Sequence, residues 1–501
     1  MNPASQIIPL FVSIALAGAF LTSILGKRFK RLPDMIGTVT TFLLLWLSLK
    51  AVATVARQGT MIYSVGAWKP PIGIAMVMDS LTSFMLVTVN LVAFTIALFS
   101  IDYMKRFTSK WKFYTLFLLM LGGMNGVIVT GDIFNMFVFL EIAFVASCAL
   151  VAFGTEKQEL EAAFKYAIMG TVGSLFILLG IVFLYSFTST LNMADMANIL
   201  AGKGTPNIVL MVSVLFIMGF GLKAALVPFH AWLPDAHPSA PAPISAMLSG
   251  VLIKSLGVYA LVRIFYNVLG MTPFILDVLL VLGALSMVVG VFLAIGQWDL
   301  KRLLAYHSIS QIGYVVLGIG LGTPLGILGG LFHLFNHSVF KSLLFLNSGS
   351  VEYATGTRDL QKMGGLAQKM PVTGTTNLVA SMSIAGIPPF NGFWSKFIII
   401  IAAVEAGRFW YAFWAVLASL LTLASFMKVM KYAFLGSLKE KWNKVKEVPI
   451  FMQTSTIILA LICVMGGLLL WPGVREIFLM PATDAVYNGL GYSASVLQNI
   501  F

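Results

Sequence analysis

Four lysines and one glutamate lie inside stretches of the chain that are otherwise almost purely apolar. They are Lys223, Lys254, Lys341, Lys396 and Glu141. An ionised side chain in the hydrocarbon of a bilayer is costly unless it is paired, hydrated or neutralised, so such residues usually mark a pathway for charge. These residue types therefore predict that protons move through the protein.

Two histidines precede Lys341 at intervals of four residues. His333, His337 and Lys341 would share one face of a helix, and groups about 6 Å apart can be bridged by a water, which predicts a proton relay. Two alternatives stay open. The histidines would merely hydrogen-bond helix neighbours, or they would bind a metal, for which no third ligand is evident. We predict no metal site.

Glu141 falls near the middle of an apolar span that begins near residue 133. A carboxylate at that depth needs a cation, and Lys223 is equally isolated in its own span, so we expect the two to pair. Separating the partners would change how tightly the lysine holds a proton, because pairing favours the charged forms and desolvation the neutral ones. The alternative is a static pair that only fixes helix register.

Two proline-rich breaks interrupt the apolar pattern. Five prolines beginning at Pro228 follow Lys223, whereas Pro389 and its neighbour precede Lys396. Proline ends helices, and non-helical backbone at membrane depth must be covered by protein or a wet cavity. The mirrored order is typical of inverted-topology repeats, in which each broken helix places a lysine near the midplane. Ordinary proline kinks with snorkelling lysines are the alternative.

The composition predicts the setting for these residues. Of 501 residues, 59% are hydrophobic and 10% are charged, and the mean hydropathy is +0.94. These values indicate an all-α integral membrane protein. Apolar runs of about 20 residues begin near residues 3, 34, 75, 112, 133, 163, 207, 240, 273, 303, 325, 373, 408 and 452, which predicts fourteen transmembrane helices. The first run has no basic residue before Lys27, which argues for a retained helix rather than a cleaved signal peptide.

The net charge of +13 is carried mainly by the connections between spans. The odd-numbered connections hold 21 basic residues, Lys301 and Arg358 among them, whereas the even-numbered ones hold Arg57, Lys69, Lys203, Arg263 and Arg408. This bias predicts cytoplasmic odd connections, both termini outside and a prokaryotic-type cell membrane. The lipid bilayer is thus the expected environment, and no soluble basic face suggests nucleic acid as a partner.

Cofactor motifs are missing from the sequence. Cys148 and Cys463 form no CxxC pattern, and neither a GxGxxG segment after a strand nor a Walker loop is present. We therefore predict no cofactor in this chain. Any iron–sulfur or nickel–iron centre would reside in partner subunits.

Five segments together resemble the antiporter-like subunits shared by respiratory complex I, the Mrp-type cation/proton antiporters (D-type subunit) and the energy-converting membrane-bound hydrogenases (H-type subunit). The segments are 131–142, 222–254, 299–314, 336–351 and 386–397. The resemblance implies two inverted five-helix repeats, each with a broken helix and a half-channel. The chain would then divide into N-terminal helices 1–3 (1–111), a first repeat (112–265), a second repeat (266–435) and a C-terminal helix 14 with its tail (436–501).

The resemblance also assigns roles within a proton pathway. The resemblance, carried over position by position, implies the following residues for these roles: the helix-five glutamate Glu141, its partner Lys223, the central lysine Lys254, the bridging histidines His333 and His337, the following lysine Lys341 and the terminal lysine Lys396. Expected partners are further antiporter-like and small membrane subunits of one complex. No long lateral helix is expected after the fourteenth span.

Three functions compete on these grounds. The sequence favours a proton-translocating subunit of a redox-driven complex, such as a membrane-bound hydrogenase or a related ferredoxin-linked reductase, with no redox chemistry in this chain. The alternatives are a D-type subunit of an Mrp sodium/proton antiporter and a structural membrane arm without transport. Apolar residues would serve a structural arm at least as well as buried charges. Because Glu141 is the one clear mid-membrane carboxylate, the chain suits protons better than sodium.

Overall fold

The computed structural model describes residues 3–202 and 207–498, so Lys203, assigned above to an even connection, lies outside the described residues. In chain order the α-helices of the described residues are α1 (Leu10–Leu25), α2 (Leu32–Gln58), α3 (Ser80–Tyr103), α4 (Lys110–Val129), α5 (Ile133–Val151), α6 (Lys157–Thr188), α7 (Met193–Ala201), α8 (Asn207–Ala224), α9 (Leu233–Ser239), α10 (Ala242–Met247), α11 (Ala260–Ile264), α12 (Pro273–Ile295), α13 (Leu300–Gly320), α14 (Pro324–Thr355), α15 (Pro371–Ala385), α16 (Asn391–Glu405), α17 (Phe409–Val429), α18 (Ile450–Met465), α19 (Pro472–Tyr487) and α20 (Gly491–Leu497). The predicted all-α membrane class is confirmed.

One short hairpin was not predicted from the sequence. Strands β1 (Met61–Ser64) and β2 (Ala75–Met78) pair antiparallel, with Met61 opposite Met78 and Ser64 opposite Ala75. The hairpin lies between α2 and α3, so it folds over one end of the helix bundle rather than within it. Four-residue strands are too short to produce a clear alternating pattern in an apolar sequence.

Twelve helices of the described residues are long and apolar enough to cross a membrane. The predicted count of fourteen is therefore not confirmed and stays a prediction. The difference lies in α14 and in the pair α15 and α16, which are absent from these twelve. Polar residues lower the hydropathy of α14, while α15 and α16 contain only 15 residues each. Helices α14 and α16, which carry the histidines, Lys341 and Lys396, thus fall outside the twelve, whereas α5 and α8 with Glu141 and Lys223 are among them.

The outer helices form a rim with exposed apolar side chains around a buried core that is mainly apolar. Rim helices such as α2, α6 and α17 expose large apolar side chains, among them Phe42, Leu175 and Phe413. The segment 242–269, by contrast, is buried along its whole length. It runs from α10 through a π-helical segment (Leu248–Tyr259) and α11 into a second π-helical segment (Phe265–Leu269). π-helical backbone is frequent at functional sites, and this segment contains Lys254.

Both predicted helix breaks are present. Helix α8 ends at Ala224 and α9 begins at Leu233, while α15 ends at Ala385 and α16 begins at Asn391. Protein groups satisfy the backbone that each break exposes, as non-helical backbone at membrane depth requires. The N–H of Val227 donates to Ser286 Oγ (2.9 Å), Trp232 Nε1 donates to the Leu222 carbonyl (3.0 Å), and Asn336 Nδ2 donates to the Asn391 carbonyl (3.0 Å).

Glycines bring the antiparallel helices α12 and α13 into backbone contact. A Cβ on Gly313 would lie 2.3 Å from the backbone nitrogen of Met287, and one on Gly290 would lie 2.5 Å from that of Ser310. Small residues allow such close approach between membrane helices, whose association depends on packing rather than on the hydrophobic effect. This contact sets the position of α13, whose side chains enter the site described below.

Replacing Gly313 with alanine is expected to destabilise the protein, because the added methyl group must push one backbone away from the other. Overpacking of this kind costs about 1–3 kcal/mol. The midpoint of thermal unfolding of the purified complex should fall by several degrees. The matched control is Gly296→Ala at the end of α12, where the nearest atom lies 4.0 Å from the added Cβ. Equal midpoints for the two variants would contradict this account of the α12–α13 contact.

Candidate functional site

The predicted partners Glu141 and Lys223 are adjacent. Helix α5 carries the glutamate and the last turn of α8 carries the lysine, with 3.6 Å between Glu141 Oε1 and Lys223 Nζ. The ammonium also lies 3.6 Å from the centroid of the Phe144 ring, and Ser174 Oγ donates a hydrogen bond to Glu141 Oε1. Lys223 Nζ makes no hydrogen bond to any described residue, so only this ion pair and the aromatic face compensate its charge.

The expectation that Glu141 is a buried charge is wrong. Its side chain is 30% exposed, whereas that of Lys223 is 3% exposed. The glutamate opens into a surface depression of about 540 Å³ with otherwise apolar walls, including Phe137 and Val145. The reason is the position of α5 at the edge of the bundle, where none of the described helices covers the outer face of α5.

Lys254 is wholly buried in the π-helical segment. Its Nζ donates to the carbonyl of Ser249, whose hydroxyl shares a 2.7 Å hydrogen bond with the Ser308 hydroxyl of α13. One turn further, Gly257 packs against α8, since a Cβ there would lie 2.5 Å from Ala224 Cα. The residue after Lys223 therefore touches the helix that carries Lys254.

Lys341 lies on α14, at the crossing with the helix that carries Lys254. A Cβ on Gly250 would lie 2.1 Å from Ser342 Oγ, which shows how closely the two helices approach. Lys341 is wholly buried, and its Nζ makes no hydrogen bond to the described residues. The structure thus brings Lys341 to the same interior region as Lys254, with the centroid of the Phe345 ring 5.6 Å from its Nζ.

His333 and His337 stack along α14 with 6.3 Å between their ring centroids. His333 Nδ1 lies 2.9 Å from Ser395 Oγ on α16, and its Nε2 lies 3.2 Å from Gln311 Oε1 on α13. Neither ring nitrogen of His337 has a partner among the described residues. His333 thus bonds to two other helices and His337 to no described residue, and the choice between a relay and merely structural histidines stays a prediction.

Lys396 lies one residue beyond the partner of His333, just after the second break. Its Nζ donates to the carbonyl of Ile384 (2.7 Å) and lies 4.7 Å from the centroid of the Tyr314 ring. The same Tyr314 ring lies 5.5 Å from the ring of His333, measured between centroids, so His333 and Lys396 contact one aromatic side chain of α13.

The candidate lysines do not snorkel towards the membrane surface. Their exposed fractions are 5% for Lys223, 0% for Lys254 and Lys341, and 2% for Lys396. A snorkelling lysine would place its ammonium in the headgroup region, where it would be exposed in the isolated chain. The alternative of ordinary kinks with snorkelling lysines is therefore wrong.

Two residues counted as connector charges are buried in ion pairs, so that interpretation is wrong for them. Lys301, 2% exposed, lies 3.1 Å from Glu352 Oε2 and donates to the carbonyl of Ala240 (3.0 Å). Arg263 makes a bidentate ion pair with Asp79, in which Nη1 donates to Oδ2 (2.7 Å) and Nη2 donates to Oδ1 (2.8 Å). Lys301 lies in the first turn of α13 and Arg263 lies inside the buried segment 242–269, and a sequence pattern near the predicted end of a span cannot distinguish a connection from a helix that continues.

Two further buried histidines were overlooked among the candidate residues. His307 Nε2 lies 2.8 Å from Ser425 Oγ, and His237 stacks on Phe345 with both ring nitrogens lacking a partner among the described residues. Both histidines fall inside segments that carried the family resemblance. A search for every titratable residue in those segments would have found them.

Comparisons with known proteins match this architecture. The family model described as "NADH:quinone oxidoreductase/Mrp antiporter, TM" matches residues 130–422, and the model for the N-terminus of complex I chain 5 matches residues 67–114. The chain is 35% identical to the D-type subunit of the Na⁺/H⁺ antiporter of Alkalihalophilus pseudofirmus, over 86% of this chain and 87% of that protein. It is 38% identical to the N-type subunit of the NADH-quinone oxidoreductase of Desulforudis audaxviator, over 87% and 86%.

Two solved structures have the same fold over nearly the full length. A chain of the Mrp complex from Dietzia sp. superposes with a TM-score of 0.91 at 27% identity, covering 100% of both chains. A chain of the membrane-bound sulfane sulfur reductase, an archaeal respiratory membrane complex, superposes with a TM-score of 0.89 at 32% identity, covering 98% of this chain and 100% of that one.

Proposed function

This chain belongs to the NADH:quinone oxidoreductase/Mrp antiporter transmembrane family, and from that membership we propose that it is the proton-translocating, D-type subunit of an Mrp-type cation/proton antiporter. It is an antiporter-like subunit of a multisubunit membrane complex. The sequence alone favoured a redox-driven complex. The relatives favour the antiporter instead, because D-type antiporter subunits of several bacteria are prominent among them.

The observation that carries the proposal is a row of buried polar groups that have no hydrogen-bond partner in the described part of the chain. Among the described residues it includes Lys223 Nζ, Lys341 Nζ and both ring nitrogens of His337. Buried polar atoms are almost always hydrogen-bonded, so groups without a protein partner are normally satisfied by internal water. A hydrated row of titratable groups supports proton transfer and is poorly explained by a purely structural arm.

The mechanism begins at the ion pair between Glu141 and Lys223. A movement in a neighbouring subunit separates the two groups, and loss of the nearby carboxylate weakens the hold of the lysine on its proton. The partial exposure of Glu141 supports this step, since a neighbouring subunit can reach the carboxylate from outside the chain. The same signal then reaches Lys254, which lies one turn from the contact between Gly257 and Ala224.

Charge continues from Lys254 to Lys341 and then along α14. Water bridges Lys341 to His337, and His337 to His333, which are near enough for such bridging. The proton then passes from His333 to Lys396, which contacts the same Tyr314 ring, and leaves from there. Each step passes between groups on neighbouring turns or in contacting helices.

A redox-driven complex remains a second candidate function. The 38% identity to a subunit of NADH-quinone oxidoreductase and the likeness to the sulfane sulfur reductase chain favour it. In that case this chain would move protons in the same way, while partner subunits would hold the redox centres. The two candidates differ in what drives the movement, not in the residues that carry it.

An assay in everted membrane vesicles distinguishes the two candidates. The complete complex is expressed in a host that lacks its own sodium/proton antiporters, and the internal pH is followed with a fluorescent dye. We expect sodium to dissipate a preformed pH gradient, because an antiporter exchanges the two cations. Vesicles from a host without the complex provide the control.

The opposite result would overturn the antiporter proposal. Sodium would then leave the gradient unchanged, while addition of a reductant would build a gradient in vesicles that contain the complex. Co-purified iron–sulfur or nickel–iron subunits would agree with that result. Their absence, together with a sodium response, would support the antiporter.

A further inference from the structure

The ammonium of Lys223 has two neighbours of very different mobility. The Glu141 carboxylate lies 3.6 Å from Nζ and is 30% exposed, on a face of α5 that none of the described helices covers. The ring of Phe144, one turn further along α5, has its centroid 3.6 Å from the same Nζ and is buried. The carboxylate can therefore turn outwards about its own side-chain bonds, whereas the ring stays inside the protein.

Helix α6 fixes the ring of Phe144. A Cβ on Gly170 would lie 2.1 Å from Phe144 Cε2, so the ring packs directly on the backbone of α6. Tyr166 of the same helix meets the ring edge to face, with 5.2 Å between centroids and 86° between planes. The Tyr166 hydroxyl in turn shares a 2.8 Å hydrogen bond with Ser147 Oγ of α5. These contacts from α6 prevent the ring from following the carboxylate outwards.

A chain of aromatic rings leads from Phe144 back to the backbone beside the lysine. Tyr166 stacks on Trp232, with 4.5 Å between centroids and 22° between planes. Trp232 Nε1 donates to the carbonyl of Leu222, the residue before Lys223 (3.0 Å). The contacts thus close a circuit through Phe144, Tyr166 and Trp232 that keeps the ring and the lysine in a constant relation.

An aromatic face attracts an ammonium but not a neutral amine, and the attraction is strongest where water is excluded. The Phe144 ring therefore stabilises only the protonated form of Lys223. The other titratable side chains around the ion pair are Cys148 on α5 and Tyr166 on α6, both of which are neutral at pH 7. When the Glu141 carboxylate turns away, the ring is the group in contact with the ammonium that remains.

We propose that Phe144 is a positioning residue that holds protonated Lys223 in place after Glu141 has turned away, and thereby sets how tightly the lysine keeps its proton in that state. The lysine then loses the attraction of the carboxylate and keeps that of the ring. Its proton is loosened by a defined amount rather than expelled at once. This inference rests on the proposed function, because it concerns the release of the same protons.

The test replaces Phe144 with phenylalanine that carries one, two or three ring fluorines, introduced into the complete complex by suppression of a stop codon. Fluorine withdraws electron density from the face of the ring while its size stays nearly the same, so the attraction for the ammonium falls stepwise. Proton transport is measured in everted vesicles as a function of pH and divided by the amount of assembled complex.

We expect the alkaline limb of the pH profile to move towards lower pH with each added fluorine, because the lysine loses its proton more easily. With three fluorines the shift should reach about one pH unit, which corresponds to a roughly tenfold weaker hold on the proton. Phe144→Leu, which removes the aromatic face altogether, should shift the profile in the same direction.

The matched control carries the same fluorinated residues at Phe216 of α8. That ring is also buried against a glycine of α6, since a Cβ on Gly180 would lie 2.6 Å from Phe216 Cε1, but it contacts the Phe220 ring instead of an ammonium. Its pH profile should match that of the unaltered complex.

An unshifted profile for the fluorinated Phe144 complexes would overturn the inference and leave the proposed function intact. A rate that falls equally at every pH, or an equal shift for the Phe216 control, would also overturn it, since the ring would then matter for packing alone. If the unaltered complex transported no protons, the proposed function and this inference would both be wrong.

Discussion

Replacing Lys223 with arginine is expected to abolish proton transport while the complex still assembles. Arginine keeps the positive charge opposite Glu141 but stays protonated at any physiological pH. A static pair that only fixes helix register would tolerate this change, whereas a lysine that must release its proton would not. Lys223→Ala and Glu141→Ala should also abolish transport, because each removes one partner of the 3.6 Å ion pair.

Assembly of the Lys223 variants should be close to normal. After Lys223→Ala the carboxylate keeps its hydrogen bond from Ser174 and its partial exposure, so no unpaired charge is sealed inside the protein. The measurement is the rate of pH change in everted vesicles for each amount of complex detected by immunoblot. A matched control is Lys165→Arg, since Lys165 is 48% exposed and pairs with Glu161 and Asp235 near the surface. Normal transport by Lys223→Arg would show that the lysine does not exchange its proton.

Replacing Asp79 with alanine is expected to cause the largest loss of stability. Asp79 caps the start of α3 through the backbone N–H of Thr82 (2.8 Å) and binds Arg263 through both carboxylate oxygens. Removal of one member of a buried ion pair typically costs about 3–5 kcal/mol, because the other charge is left without compensation. We expect a large drop in the amount of assembled complex and in its unfolding temperature.

The double variant Asp79→Ala with Arg263→Met should be more stable than Asp79→Ala alone, since it leaves no orphaned charge. Transport per assembled complex should be nearly unchanged in both, which separates this structural pair from the pair of Glu141 and Lys223. Normal assembly of Asp79→Ala without transport would instead place Asp79 in the proton route.

Stability contributed by Asp79 should persist at acidic pH. Burial alone would raise the pKa of this carboxyl, but the Arg263 guanidinium and the Thr82 N–H overcome that effect and hold the pKa below its ordinary value. A carboxyl with a lowered pKa contributes stability above its unfolded-state pKa and loses it only as the pH falls through the folded value. Exposure of the complex to a pH of about 5, which lies above the ordinary pKa of an aspartate, should therefore leave this pair intact.

Both helix breaks and the isolated lysines were predictable from local features of the sequence. The prolines near Lys223 and Lys396 predicted both interruptions, because a residue without an N–H cannot continue a helix. The isolation of charged residues among apolar ones likewise predicted the pathway lysines, since the cost of a charge in hydrocarbon depends on residue type and depth. Such local properties need no knowledge of which helices are neighbours.

The solvent exposure of individual charged side chains could not be predicted from such local features. Glu141 was expected to be buried and is partly exposed, while Lys301 and Arg263 were expected in connections and are buried. Whether a helix lies at the rim or the centre of the bundle depends on contacts with distant parts of the chain. Hydropathy reports the composition of a helix, not which of its faces another helix covers.

The sequence by itself determined that this is a membrane protein with broken helices, isolated lysines and a histidine row. Those features follow from hydropathy, proline chemistry and the periodicity of a single helix. Only the tertiary structure decided that His237 stacks on Phe345, that His333 on α14 bonds to Ser395 on α16, and that Lys301 pairs with Glu352. The physical reason is that these contacts join residues far apart in the chain, and no local pattern encodes the packing that brings them together.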